Sequence, residues 1–449
     1  MQTFSLHIYD MSDLGRALDS QGGNLMNISR RTLMRGIGAA GLAASAPGIF
    51  SPAIAQSTPV RVGILAPRSG AMGTIGECGI RAVQWAAERM NKDGGIGGRP
   101  IELVIEEETS PKDTIERFRR LVLQEKVDVV QGLISTGVSM GVAPVAEEEG
   151  ALLIMWDGTT QDGVKEAMPN ARYVFRSTDN ECEAVMSSLL AVKYFPGKIT
   201  RIAGINPDYS YGRNNWEAFR QILKRAGVEA EMVAEQWPKV GTMDLTSHVA
   251  ALKAAKPDFI FSSMLFADLP VFMKQGSAAG LFEGVNLALP AAGWQINQLK
   301  KSFMPENIVF GHNTLYFALP TASPLQKAFV DDYMGRFKEA PNWEADRAYF
   351  ALAAYKAGVE AAQKATGRWP KLDEVIDAIP KQEIQSLGGP ARFRVDKIAE
   401  QTFYQGLSTN DNSFDFPTLK TVDSFTADQL QKPPGMDFWE WLKTSKLPV

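Results

Sequence analysis

Residues Val60 to Pro100 read VRVGILAPRSGAMGTIGECGIRAVQWAAERMNKDGGIGGRP. Val60 to Leu65 is an apolar run with the length and β-branching of a buried strand. Further on, Ala82, Val83, Ala86, Ala87 and Met90 fall on one side of a helix while Arg81, Glu88 and Arg89 fall on the other. A glycine-rich turn then leads into a second strand at Ile101. This is one β-loop-α unit. Eight of the fourteen residues from Ala66 to Gly79 are Ala, Gly, Ser or Thr, too small to cover the end of the strand. The carboxyl end of the strand is therefore expected to lie open beside a helix N-terminus, where α/β sheets take small molecules. Gly73, Gly76 and Gly79 are spaced G-x-x-G-x-x-G, not G-x-G-x-x-G, and stand well past the strand, so a dinucleotide is not expected.

The same alternation continues. Strands are expected at Ile101 to Glu106, Val127 to Ile134, Ala151 to Met155 and Tyr173 to Phe175, with helices at Pro111 to Glu125 and Val138 to Glu149. A polar link, RSTDN from Arg176 to Asn180, precedes a second set with strands at Arg201 to Ile205, Val228 to Ala234, Phe259 to Ser262, Val285 to Leu289 and Ile308 to Gly311. Two similar sets imply two α/β lobes, each a doubly wound parallel sheet with helices on both faces. The helices at Leu325 to Lys338 and Trp343 to Ala365 have no sheet of their own between them and are expected to return to the first lobe. A further crossing near Gly388-Gly389-Pro390 would finish on the second lobe with Ala391 to Val395 and Gln401 to Gly406, making a three-strand hinge. The expected division is 58–177 with 313–388 for lobe one, 178–312 with 389–409 for lobe two, and 410–449 as an extended C-terminal strap.

At 449 residues, 45% hydrophobic and 22% charged, the chain suits a two-domain globular protein. A net charge of −4 without basic runs argues against nucleic acid or an anionic membrane surface. Residues 29–35, SRRTLMR, precede a weakly apolar stretch and Ala53-Ile54-Ala55, which resembles a twin-arginine export signal with an A-x-A cleavage site. The mature protein is thus expected to be periplasmic, starting near Gln56, and not membrane-embedded, since no other segment is long and apolar enough to span a bilayer. Cys78 and Cys182 fall at helix starts in different lobes and are expected to stay as free thiols, since a link would restrain the hinge. Glu106-Glu107-Glu108 reads as a solvated strand end; no metal or cofactor motif is present.

With LAPRSG, MNKDGGIGGRPIELV, SPKDT, LISTGVS and PDYSYG in order, the chain resembles the type I periplasmic solute-binding proteins, in particular the leucine/isoleucine/valine-binding family of ABC importers. The resemblance runs from Val60 to about Gly406. It implies one small ligand enclosed between two lobes, a monomer, and the importer's permease subunits as partners. Carried over by position, the carboxylate end of the ligand would meet Ser135, Thr136, Gly137 and Ser139 after the third strand and Gly158, Thr159 and Thr160 after the fourth. Hydroxyls and backbone N–H groups at helix starts suit an anion, although plain helix capping uses the same residue types. From lobe two the family implies Tyr211 with Tyr209 beside it, and an aromatic at Phe266.

Family members that bind α-amino acids place a glutamate after the strand ending here at Leu289, whereas this chain has Pro290-Ala291-Ala292-Gly293-Trp294. That departure, with Trp156 ahead of the second loop, points to an aromatic or aliphatic carboxylate or an amide, and Trp294 joins the candidate contacts. The alternatives are a periplasmic sensor presenting solute to a membrane receptor, and a secreted α/β-hydrolase using Ser139 in Gly137-Val138-Ser139-Met140-Gly141. For the hydrolase only His248 and His312 lie beyond the signal, and Ser139 stands five residues past its strand, not on the tight turn. Met26 is the more plausible initiator than Met1, since export signals normally sit at the very start. N-terminal sequencing of the precursor is expected to begin at Met26, and a product beginning at Met1 would refute this.

Overall fold

A computed structural model of the chain describes residues 58–446 apart from 158 and 180. The export signal, Met26 and Gly158 lie outside the described residues. The first lobe holds β1 (Val60–Ala66), α1 (Gly73–Lys92), β2 (Ile101–Glu107), α2 (Pro111–Arg119), β3 (Val129–Gly132), α3 (Thr136–Glu149), β4 (Leu153–Met155), α4 (Gln161–Ala167) and β5 (Val174–Arg176). All five strands are parallel, in the order β2-β1-β3-β4-β5. The second lobe holds α5 (Glu181–Tyr194), β6 (Arg201–Ile205), α6 (Ser210–Arg225), β7 (Glu231–Gln236), α7 (Thr246–Ala255), β8 (Phe259–Phe261), α8 (Asp268–Ala278), β9 (Asn286–Leu289) and β10 (Val309–Asn313). Its parallel strands repeat the pattern as β7-β6-β8-β9-β10.

The chain then forms α9 (Pro324–Phe337), α10 (Glu344–Thr366) and α11 (Leu372–Ala378). The first two are the long helices the sequence predicts, and α10 packs along α1. The apolar side read for α1 is buried as expected at Ala82, Val83, Ala86, Ala87 and Met90. Its glycines serve packing: a Cβ on Gly76 would stand 1.9 Å from the Pro67 carbonyl oxygen, and one on Gly79 2.5 Å from the Trp156 ring. Trp156, wholly buried, can therefore pack against α1 at Gly79.

Three features differ from expectation. Helix α4 was not anticipated, being only seven residues long with a glycine at position 163. The crossing expected at Gly388-Gly389-Pro390 comes later. There β11 (Ile384–Ser386), β12 (Gly389–Phe393) and β13 (Ala399–Glu400) form a small antiparallel sheet of their own, and only β14 (Thr402–Thr409) joins the second lobe, antiparallel to β10. The cause is packing: the Phe393 ring sits 5.0 Å from Phe175 of β5 and 4.8 Å from Phe350 of α10, and Ile398 bridges to Arg176.

The C-terminal segment, expected as an extended strap, instead forms β15 (Thr418–Leu419) and β16 (Asp423–Thr426), both paired with β14, then α12 (Ala427–Leu430) and α13 (Phe438–Thr444). Phe438, Trp441 and Leu442 are buried in one cluster with Trp216, Phe219 and Ile222 of α6. Phenylalanine and tryptophan bury too much area to be left on a surface strand when an apolar helix face is in reach.

The lobes are joined where the chain passes Ser177 to Asp179, Asn313 to Leu315, and Gln401. Asp346 of α10 holds this waist: its carboxylate accepts from the Gly388 N–H at 2.8 Å, Ser386 Oγ at 2.5 Å and Gln401 Nε2 at 3.1 Å. Gly388 lies against the second crossing so closely that a Cβ would stand 1.7 Å from the Thr314 carbonyl oxygen. Gly388→Ala is therefore expected to cost about 1–3 kcal/mol of stability. Denaturant unfolding measures it, and an unchanged midpoint would contradict this packing.

Candidate functional site

Both sheets have the strand order whose direction of winding reverses beside the first strand, so each opens a crevice at its carboxyl edge. The loops at the two crevices carry most of the candidate residues. After β3, Gly132 and Leu133 adopt left-handed or related backbone (φ 126° and 67°), turning the chain into α3. Ser135 is the N-cap of α3, Thr136 begins the helix, and Gly137 is exposed. Ser139 is wholly buried within the first turn of α3, with its backbone N–H bonded to the Ser135 carbonyl, and so is not on a strand-to-helix elbow. The Ile134 and Ser135 N–H groups both donate to the Glu108 carboxylate at 2.8 Å, so the backbone amide of Ser135, a residue expected to meet an anion, is already engaged. Glu108 is thus no solvated strand end; burial pushes its pKa up to about 7 against the pull of those two amides.

After β4, Thr160 Oγ1 accepts from the Gly163 N–H at 3.2 Å, the capping role that was the alternative reading of this residue. Thr159 is wholly buried and its carbonyl accepts from Arg176 Nη1 at 2.8 Å. From the second lobe, the rings of Tyr209 and Tyr211 stack at 6.0 Å. Phe266, held at φ 56°, stacks on Trp294 at 5.8 Å, and Trp294 stacks in turn on Trp343 at 4.9 Å. That three-ring stack joins the second lobe to the segment entering α10. Asn342 Nδ2 reaches the Trp294 carbonyl at 3.3 Å, and Asn297 and Ala340 exchange hydrogen bonds at 2.8 and 2.9 Å. Backbone held in the left-handed region away from glycine is costly and concentrates at ligand clamps.

A charged group at the start of α10, which the sequence reading passed over, binds these pieces together. Arg347 is wholly buried and pairs with Asp157 of the loop after β4; Glu344 lies 3.9 Å away. Burial pulls the Arg347 pKa down, while Asp157, Glu344 and, from the second lobe, Glu183 pull it up, and the net shift is upward. The guanidinium is charged. Its Nε and Nη2 make no hydrogen bond. Burial and Asp157 push the Glu344 carboxyl well above its ordinary pKa, against Arg347 and a hydrogen bond from the Trp294 side chain. Glu183 accepts from Tyr211 OH at 3.0 Å and from Asn313 Nδ2, and Gln405 Nε2 donates to Asn313 Oδ1 at 3.1 Å.

Acidic and basic groups therefore converge from both lobes between two sets of stacked rings. The only signal in the sequence was Glu344-Ala345-Asp346-Arg347, three charges at the head of a helix whose other residues are mostly small or apolar. His312 is buried among Phe310, Tyr316 and Phe317, and desolvation holds its pKa down to about 3, so it stays neutral. Cys78 and Cys182 are both buried free thiols. Among the described residues no group of His, Cys, Asp and Glu is arranged to hold a metal ion.

Residues 59–409 match the family model described as periplasmic binding protein. The chain is 26% identical over 343 residues to Leu/Ile/Val-binding protein homolog 7 of Brucella abortus (strain 2308), covering 73% of this chain and 82% of that one. It is 21% identical over 328 residues to a leucine-, isoleucine-, valine-, threonine- and alanine-binding protein of Pseudomonas aeruginosa, covering 71% and 82%. In fold it is similar to an ABC transporter solute-binding protein of Rhodopseudomonas palustris in complex with 3,4-dihydroxybenzoic acid (TM-score 0.71, 20% identity, 84% of this chain and 99% of that one). It is likewise similar to a branched-chain amino acid transporter substrate-binding protein of Streptococcus pneumoniae in complex with isoleucine (TM-score 0.66, 19% identity, 82% and 100%).

Burial shifts the Glu183 carboxyl from its ordinary 4.5 up to about 8, with Arg347, Tyr211 and Asn313 pulling the other way. A carboxyl raised in the folded state binds a proton that the unfolded chain has already released, so stability falls as pH rises between those two values. Glu183→Gln copies the neutral form and is expected to flatten that fall by on the order of 2 kcal/mol between about pH 5 and about pH 8. Denaturant midpoints across this range read it out; an equally steep fall in the variant would show that Glu183 does not carry the effect.

Proposed function

The chain belongs to the periplasmic binding protein family, and from that footing we propose that it is a periplasmic solute-binding protein that delivers a small solute to the permease subunits of an ABC importer. The solute is a small carboxylate, an amide or a branched-chain amino acid type molecule, enclosed by closure of the two lobes. One observation carries the reading: at the meeting of the lobes, two nitrogens of a buried guanidinium stand without hydrogen bonds beside a stack of aromatic rings. Buried polar groups of that kind cost free energy unless they are paired, and a bound solute pairs them. A molecule with an acceptor for Arg347 and a donor for Glu344 fits, as a primary amide or a zwitterion does. Glu344 places a carboxyl from α10 beside Arg347, but burial and Asp157 hold its pKa well above the ordinary carboxyl value, so it is no simple replacement for the glutamate missing after Leu289.

Specificity then comes from the rings and the capped loops. Trp294, Phe266 and Tyr211 give an apolar body something to stack on, while Ser135, Thr136, Thr159 and Thr160 line the first-lobe side. No bond is made or broken. In the open state each lobe offers only half of these contacts; the ligand binds the closed state better and shifts the population toward it. Among the described residues no helix is long and apolar enough to cross a membrane, and a monomer exported by its N-terminal signal suits delivery to a membrane-bound permease.

Calorimetric titration with leucine, isoleucine, valine, benzoate, 4-hydroxybenzoate and short amides tests this. At least one is expected to bind, and Arg347→Met is expected to weaken that binding by about 10- to 100-fold, the worth of a hydrogen bond to a buried charge. No heat from any of them, or an Arg347→Met variant that folds and binds as well as the parent, would overturn the reading.

A further inference from the structure

A cavity of about 460 Å³ lies on the flank of the molecule, between α4, the end of β5, the turn from Arg394 to Ile398 and the C-terminal segment from Lys432 to Phe438. None of Tyr209, Tyr211, Phe266, Trp294 or Arg347 lines it. One of its walls lies beyond residue 409, where the match to the family model ends. Its lining combines four cations, Lys165, Arg176, Lys397 and Lys432, with apolar side chains that include Met168, Val174 and Phe438.

Arg176 is only 3% exposed, and while its Nη1 holds the Thr159 carbonyl, its Nε and Nη2 make no hydrogen bond. The acidic residues of the lining are engaged elsewhere. Asp396 pairs with Arg394. Asp437 caps α13 through the Trp439 and Glu440 N–H groups and meets Lys165 at 3.3 Å, and Asp162 accepts from Trp439 Nε1 and Asn214 Nδ2, each at 3.2 Å. Burial holds the Lys432 and Lys397 ammonium groups below the ordinary lysine value, so an anion brought among them gains from relieving that cost.

We propose that this cavity is a second binding site, separate from the interlobe cleft, for a small organic carboxylate whose anionic end pairs with Arg176, Lys397 and Lys432 and whose apolar part lies on Met168, Val174 and Phe438. Its walls come from both lobes: α4 and β5 belong to the first, and α13 is packed on α6 of the second. An occupant therefore touches α4 and the C-terminal segment at once.

The test uses the mature protein with 4-bromobenzoate, and 4-bromobenzamide as its uncharged counterpart. Bromine anomalous density is expected in the flank cavity with the carboxylate toward Arg176. Calorimetric affinity for that site is expected to fall on the order of tenfold or more with the amide or with Lys432→Glu, and by less with Lys432→Gln, as for a lost charge-assisted hydrogen bond. Bromine found only in the interlobe cleft or nowhere, density without a calorimetric signal (binding at crystal concentration only), or a folded Lys432→Glu variant of unchanged affinity would each overturn the proposal. Bromine in the cleft alone would leave the solute-binding function standing.

Discussion

A guanidinium with no exposure to solvent must be surrounded by negative charge, and Arg347 imposes that demand at the point where the two lobes meet. Desolvating an ion costs several kcal/mol, so a buried arginine persists only where carboxylates and hydrogen-bond acceptors are fixed around it. Asp157 answers from the loop after β4, Glu344 from one turn back on α10, and Glu183 from the first helix of the second lobe. Glu344 and Glu183 are themselves raised in pKa by burial, and Glu183 needs Tyr211 and Asn313 to hold it. One charge thus recruits residues from α5, α6, α10 and the second crossing. Breaking such a pair by removing one partner leaves an uncompensated charge, which is why the cluster specifies how the lobes meet more than it adds stability.

Around that centre the fold is repetitive. Two sheets with the same strand order face each other across their carboxyl edges, the chain passes between them three times, and Asp346 fastens the third passage to the helix that also carries Arg347. Adjacent residues of α10 therefore govern the waist and the cleft.

Much of this was legible in the sequence. All ten strands of the two parallel sheets were expected close to where they lie, because fully buried strands are short apolar runs and the helices between them carry a 3.6-residue period. The loops that approach the cleft followed from where those strands end. What escaped notice shares a physical cause. Glu108 read as solvated and the charges at Glu344 and Arg347 drew no notice, because a charged residue is usually exposed and only tertiary packing buries it. The backbone amide of Ser135, expected to meet a ligand, serves Glu108 instead, together with that of Ile134, an exchange between strand ends that no local pattern reveals. The short α4, with its glycine, and the C-terminal helix, formed only because Phe438 and Trp441 find α6, are likewise products of packing.

The central claim is that a solute is held by groups drawn from both lobes and that holding it closes them. Small-angle X-ray scattering of the mature protein, with and without a saturating concentration of a solute that binds, measures this directly. The radius of gyration is expected to fall on addition of the solute, and to fall less in a variant whose cleft charges are removed. A scattering curve that the bound solute leaves unchanged would contradict it.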